Sequence, residues 1–125
     1  MYVAGVKRRF TVKLGETIYA GALVALNASG ELVNFTAATG LVCVGVAEST
    51  VENAVSGSVL NTGSGIFCFK NSAGADEITL TEIGATVYGV DNETVALTDG
   101  SSSRSAVGKV WNVDSDGVWV DTRSI

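Results

Sequence analysis

Apolar and polar residues alternate with a period of two along most of this chain, and that alternation confines it to strands. Phe10, Val12 and Leu14 alternate with Thr11 and Lys13, as a strand with one buried face requires. Valine, threonine and aromatic residues dominate the periodic segments, and their side chains suit a pleated surface. Turn signals recur at short spacing: Asn27-Ala28-Ser29-Gly30, Asn61-Thr62-Gly63, Asp91-Asn92 and Asp114-Ser115-Asp116-Gly117. The chain has no proline, so its turns rest on Gly, Asn and Asp, which tolerate positive φ. This pattern predicts an all-β fold, a compact antiparallel β-sandwich or barrel. One segment departs from it. Ser49 to Val55, with Ser49 and Glu52 at capping-box spacing, reads as a surface loop containing one helical turn. Ser101-Ser102-Ser103 reads as a loop tip.

The chain also repeats itself. Gly21-Ala22-Leu23-Val24 matches Gly84-Ala85-Thr86-Val87, and Val44-Gly45 matches Val107-Gly108 at the same offset. Gly57-Ser58-Val59-Leu60-Asn61-Thr62 matches Gly117-Val118-Trp119-Val120-Asp121-Thr122 at a slightly shorter one. Three matches in one order point to a duplicated β-meander, with pseudo-repeats at about 10–75 and 76–125. Half a meander cannot bury its own apolar face, so residues 10–125 are read as a single domain preceded by an N-terminal arm, residues 1–9.

Charge and composition narrow the functions. Thirteen Asp and Glu against eight Lys and Arg leave a net charge of −5, which argues against bulk nucleic-acid binding. The absence of histidine removes the Ser-His-Asp triad, the Cys-His dyad and imidazole metal ligation. No apolar run approaches the ~20 residues of a membrane helix, so no membrane partner is expected. Met1 to Arg9 lacks a following apolar segment and does not read as a secretory signal, so folding in a cytoplasm is expected. Gly63-Ser64-Gly65 has neither the spacing of a nucleophile elbow nor the sequel of a phosphate loop. Asp114-Ser115-Asp116-Gly117 opens like a calcium loop, but Trp119 and Ile125 stand where that loop needs Gly and Glu. No metal, cofactor or catalytic group is therefore expected, and a hydrolase with paired carboxylates ranks last. Cys43 and Cys68 leave two readings open, a pair of small buried hydrophobes or one bridge.

Two features are left over. In the final hairpin, a turn at Asp114–Gly117 sets Val113 against Val118, Asn112 against Trp119 and Trp111 against Val120. Trp111, Val113, Val118 and Val120 then face the core, and Trp119 lies on the opposite face as a candidate interface anchor. The N-terminal arm carries Lys7, Arg8 and Arg9 in a chain of opposite net charge, which suits docking on an acidic partner.

The string Gly15-Glu16-Thr17-Ile18-Tyr19-Ala20-Gly21-Ala22-Leu23-Val24, followed by Val44-Gly45-Val46-Ala47-Glu48, resembles the small capsid decoration proteins of tailed bacteriophages. So does the second round, Ile83-Gly84-Ala85-Thr86-Val87-Tyr88 closing with Val107-Gly108-Lys109-Val110. The resemblance spans about residues 10–120, and glycine and valine carry most of it. It implies a β-rich cement protein, often a homotrimer, made in the host cytoplasm and bound to the major capsid protein on the outer surface of the virion. Lys7, Arg8, Arg9 and Trp119 are then the candidate capsid contacts. Two other readings remain at this stage. One is another β-rich virion part, such as a head fibre base or tail-tube protein; the other is a carbohydrate-binding module stacking sugars on Trp119, Tyr88 or Trp111.

Overall fold

The computed structural model describes residues 7–123, which form two five-stranded antiparallel sheets in a β-sandwich-like arrangement without barrel closure. In order across the first sheet lie β1 (Lys7–Thr11), β5 (Val59–Gly63), β4 (Val42–Ala47), β2 (Leu23–Leu26) and β3 (Leu32–Asn34). Across the second lie β6 (Ile66–Phe69), β10 (Gly117–Asp121), β9 (Ala106–Asp114), β7 (Thr86–Gly89) and β8 (Val95–Ala96). Counted within its own half, each sheet has the same order: first strand, fifth, fourth, second, third. The chain passes from one sheet to the other at Ser64-Gly65, and the described residues hold no α-helix, only 3-10 turns at Gly74–Asp76 and Leu80–Glu82.

The repeated dipeptides have a physical cause. Pairing steps from Val24↔Gly45 to Ala25↔Cys43 in the first sheet, and from Val87↔Gly108 to Tyr88↔Ala106 in the second. Val44 and Val107 are thus the extra residues of equivalent β-bulges. The glycine after each lets the neighbouring strand come close. A Cβ on Gly45 would stand 2.0 Å from the carbonyl oxygen of Gly63, and one on Gly108 would stand 2.3 Å from that of Asp121. The Gly-Ala pairs repeat a turn as well. Gly21 N donates to Ala47 O (2.8 Å) and Ala47 N to Ala22 O (2.9 Å); Gly84 N donates to Val110 O (2.9 Å) and Val110 N to Ala85 O (3.0 Å). For the last strands the sheet register differs from the sequence match. Ala47 pairs with Thr62 and its equivalent Val110 with Val120, so Leu60 corresponds to Val118 rather than to Val120. The slip is two residues, which preserves the buried face.

The first sheet is buried on both faces. Leu23, Ala25, Cys43 and Val46 pack against Val87, Val107, Val110, Val118 and Val120 of the second sheet. Val24, Val44, Ala47 and Leu60 point the other way, into a second cluster with Val12, Ile18, Leu32 and Ala54. This explains the unbroken apolar runs of β2 and β4, since a strand covered on both sides has no face left for polar residues. The cover consists of two connections zipped together: Ile18 and Val51 exchange backbone hydrogen bonds of 2.8 Å, and Gly15 N donates to Ala54 O at 2.8 Å. Ser49–Val55 therefore holds an extended bridge and bends, not the expected helical turn, because the Glu16–Ile18 segment takes its backbone groups. The capping box occurs instead at Thr79–Glu82, where the Glu82 side chain accepts from the Thr79 backbone.

The final hairpin follows the expected register at Val118↔Val113 and Trp119↔Asn112, then shifts: Val120 faces Val110. A bulge there hands the core position to Val110 and turns Trp111 outward, 56% exposed. The two halves are stitched by Ser105, whose Oγ donates to Ala38 O (2.7 Å) and accepts from Leu41 N (3.1 Å), and by Leu23 N donating to Asn92 O at 2.8 Å.

Gly45 combines a φ of +103° with the contact described above, so Gly45→Ala should destabilise by roughly 3 kcal/mol or more in urea unfolding. Gly30 has a φ of +76° but open space around it, and Gly30→Ala should cost only about 1 kcal/mol. Equal losses at the two sites would show that backbone conformation, not strand approach, sets the requirement for glycine at Gly45.

Candidate functional site

Lys7, Arg8 and Arg9 belong to a strand rather than to a free arm; residues 1–6 of the expected arm lie outside the described residues. They pair with Gly63, Thr62 and Asn61 of β5 and form the edge of the first sheet. Strand geometry splits the three charges between the two faces. The Arg8 guanidinium lies 5.5 Å from the Phe10 ring centre, and its Nη2 donates to Ser64 Oγ at 3.4 Å. On the other face Lys7 Nζ stands 3.6 Å from Glu48 Oε2, and Arg9 Nε donates to Asn61 Oδ1 at 3.1 Å. The Lys7–Glu48 and Arg9–Asn61 pairs are open to solvent, so they orient the strand more than they stabilise it, whereas the Arg8–Ser64 bond is half-buried.

Trp119 lies between Asn112 and Cys68 on the outward side of the second sheet, half-buried, with Nε1 donating to Asp114 Oδ2 at 2.9 Å. The more open indole is Trp111. Because Gly84 N bonds to Val110 O, Ile83 is brought next to Trp111, and the 3-10 turn holding Leu80 packs against β9. Leu80 (62% exposed), Ile83 (50%) and Trp111 (56%) thus present large apolar side chains to solvent beside the middle of β9. The repeat supplies the comparison, for the equivalent positions in the first half are Thr17, Ala20 and Glu48. At these three positions the apolar character is particular to the second half; the first half exposes Leu14, Tyr19 and Val55 instead. The sequence pointed to Trp119 because an unbulged hairpin buries Trp111; only the Val120↔Val110 register reverses the two.

Little else converges. Trp119, Trp111 and Tyr88, considered for sugar stacking, sit on the adjacent strands β10, β9 and β7. Tyr88 pairs with Ala106 and Trp119 with Asn112, six residues farther along β9, so Tyr88 stands apart from the two tryptophans. A cleft of about 280 Å³ between the halves is lined by Tyr19, Gly21, Ala22, Asn92 and Glu93. Among the described residues no three Cys, Asp or Glu side chains come together as a metal site. The perturbed carboxylates serve structure. Hydrogen bonds from Thr98 and Arg104 hold Asp76 below the usual range, those from Thr81 and Thr79 do so for Glu82, and that from Arg123 does so for Asp121. Such shifts keep a carboxylate ionised at neutral pH and do not poise it as an acid. Cys43 is buried between the sheets and Cys68 is half-buried on the outward side, and both are free thiols. Compared with known proteins, the chain matches no family model, no curated protein and no solved structure.

Burial pushes the Cys43 thiol up to about 11. A thiol reagent should accordingly titrate one cysteine, Cys68, in the native protein and both after denaturation; two fast-reacting thiols would contradict the burial of Cys43. The Asp76 carboxyl, ordinarily near 3.8, is depressed, so its contribution to stability is present above that value and lost as pH falls through the folded one. Asp76→Asn should lower the melting temperature at neutral pH, with the gap to wild type closing in acid. A gap independent of pH would assign the loss to geometry alone.

Proposed function

We propose that this chain is a structural virion protein that binds the outer surface of an expanded phage capsid and reinforces it as a decoration protein. The observation that carries this reading is the exposed Leu80–Ile83–Trp111 surface, set on a doubled sheet whose first half has polar or small residues at the same positions. Monomeric soluble domains seldom leave clustered large apolar side chains in water unless they meet a partner there. Trp is also the side chain most enriched among binding hot spots. The resemblance of the two Ala-Gly and Val-Gly rounds to decoration proteins supplies the partner, the major capsid protein. The anchoring role expected of Trp119 passes to Trp111, and the cations of β1 are left to meet an acidic surface.

A decoration protein must resist deformation while its contacts add up over many copies. Two sheets sharing one core provide the stiffness, since interiors packed at crystal density transmit strain instead of yielding. Modest contacts repeated over a lattice provide avidity.

Purified protein should co-sediment with undecorated expanded capsids of its own phage. Trp111→Ala should weaken that binding by roughly 2 kcal/mol, and Leu80→Ser with Ile83→Ser should add to the loss, while each variant keeps the wild-type melting temperature. Absence of co-sedimentation at micromolar concentration would overturn the reading.

A further inference from the structure

Among the described residues, each half of the molecule closes one edge of its own sheet and leaves the other unpaired. In the first half the chain after β1 turns back along β3. Val12 bridges Leu32, Lys13 N donates to Leu32 O at 3.1 Å, and Glu16 Oε2 accepts from Asn34 N at 2.9 Å. The chain after β6 does the same to β8. Lys70 bridges Thr94, Val95 N donates to Lys70 O at 3.0 Å, and Ser72 Oγ donates to Val95 O at 2.8 Å. The edges that remain are β1 and β6. Each pairs with a single neighbour, β5 or β10, and among the described residues no backbone hydrogen bond occupies the other side.

These two open edges are equivalent elements of the repeat with opposite chemistry. β1 reads Lys7-Arg8-Arg9-Phe10-Thr11, and charges of this kind are the usual protection of an edge against unwanted strands. β6 reads Ile66-Phe67-Cys68-Phe69, with no charge, no proline and no bulge. Carboxylates flank it. Asp114 and Asp116, in the turn between β9 and β10, lie close enough to help push the Cys68 thiol up, and Asp121 stands opposite Ile66 at the other end. Of the nearby cations, Lys70 follows the strand and directs its ammonium to Glu93 at 3.0 Å, and Arg123 is paired with Asp121 at 3.0 Å. Among the described residues this leaves Asp114 and Asp116 as the flanking carboxylates without an ion pair.

We propose that the open edge of β6 receives β1 of a second copy of this chain, so that the first sheet of one molecule continues into the second sheet of the next. Main-chain hydrogen bonds between the strands supply affinity, and basic side chains meeting an acid-flanked apolar edge supply direction. The alternative self-pairings are disfavoured: β1 against β1 sets cation against cation, and β6 against β6 brings two sets of carboxylates together. The contact is heterologous, with one donating and one accepting edge on every molecule, so copies close into a ring or run on as a filament. It also names an acidic partner for the β1 cations, this chain itself. Self-association requires no capsid, so it and the shell reading stand or fall by separate measurements.

The test is sedimentation velocity and native mass spectrometry of the full-length chain at micromolar concentration in low salt. Wild type should run as an oligomer that salt dissociates. Lys7→Glu with Arg9→Glu should weaken association about a hundredfold or more, and Cys68→Lys, which places a charge on the open edge, should leave a monomer. The first variant keeps its β6 edge and the second keeps its β1, so a mixture of the two should form a 1:1 heterodimer and nothing larger. Circular dichroism and the melting temperature establish that each is folded. Should Cys68→Lys fail to fold, the double charge reversal decides alone. A wild type that stays monomeric, or an oligomer indifferent to the β1 reversal, would overturn the proposal, as would folded variants that fail to form the heterodimer.

Discussion

The whole arrangement depends on burying β2 and β4 from both sides. Both strands are apolar on each face, so the first sheet cannot stand as one wall of a simple two-layer domain. One face needs the second sheet and the other needs the zipped connections around Ile18 and Val51. At ~25 cal/mol per Å² of apolar surface removed from water, this double burial is the main favourable term available to a chain whose two cysteines are free thiols. The close strand approach at Gly45 and Gly108, and the bulges at Val44 and Val107, are what let the two sheets curve enough to share that core.

The duplication was not used symmetrically. Between β4 and β5 an eleven-residue connection, residues 48–58, covers the outer face of the first sheet; between β9 and β10 only Ser115 and Asp116 intervene. The corresponding face of the second sheet is left to solvent, and there the residues diverge from their equivalents: Leu80, Ile83 and Trp111 in place of Thr17, Ala20 and Glu48. Apolar substitution at an uncovered surface is what a binding surface added to a structural repeat would produce. The edges diverged in the same way, cationic in β1 and uncharged in β6.

Around the shared apolar core, the halves are also joined by polar side chains whose hydrogen bonds are satisfied. Ser105, Asn92 and Asn34 link them through hydrogen bonds of 2.7–3.1 Å, and no buried side-chain nitrogen or oxygen among the described residues lacks a partner. Phe35 fills the space that Gly89 leaves, where a Cβ would stand 2.1 Å from the ring. A contact this tight, flanked by oriented hydrogen bonds, gives the halves one relative placement rather than several.

By itself the sequence determined the all-β class, the turns at residues 27–30 and 114–117 and the duplication, because period-two patterning and Gly, Asn and Asp turn chemistry are local properties of the chain. It determined Val118↔Val113 and Trp119↔Asn112 for the same reason, since a short turn sets the register next to it. Asn61-Thr62-Gly63, read as a turn, lies within β5, and Leu14, read as a buried strand position, sits exposed in a turn because the chain leaves the sheet after Val12. Tertiary structure alone decided what lay farther from any turn. The bulge that exposes Trp111 arises from strand pairing, and the cover over Ile18 and Val51 joins segments distant along the chain. Which edges close and which stay open depends on where β3 and β8 finish in space. Hydrophobic pattern states that a face must be buried; it does not state by what, because any apolar surface of matching shape lowers the free energy in the same way.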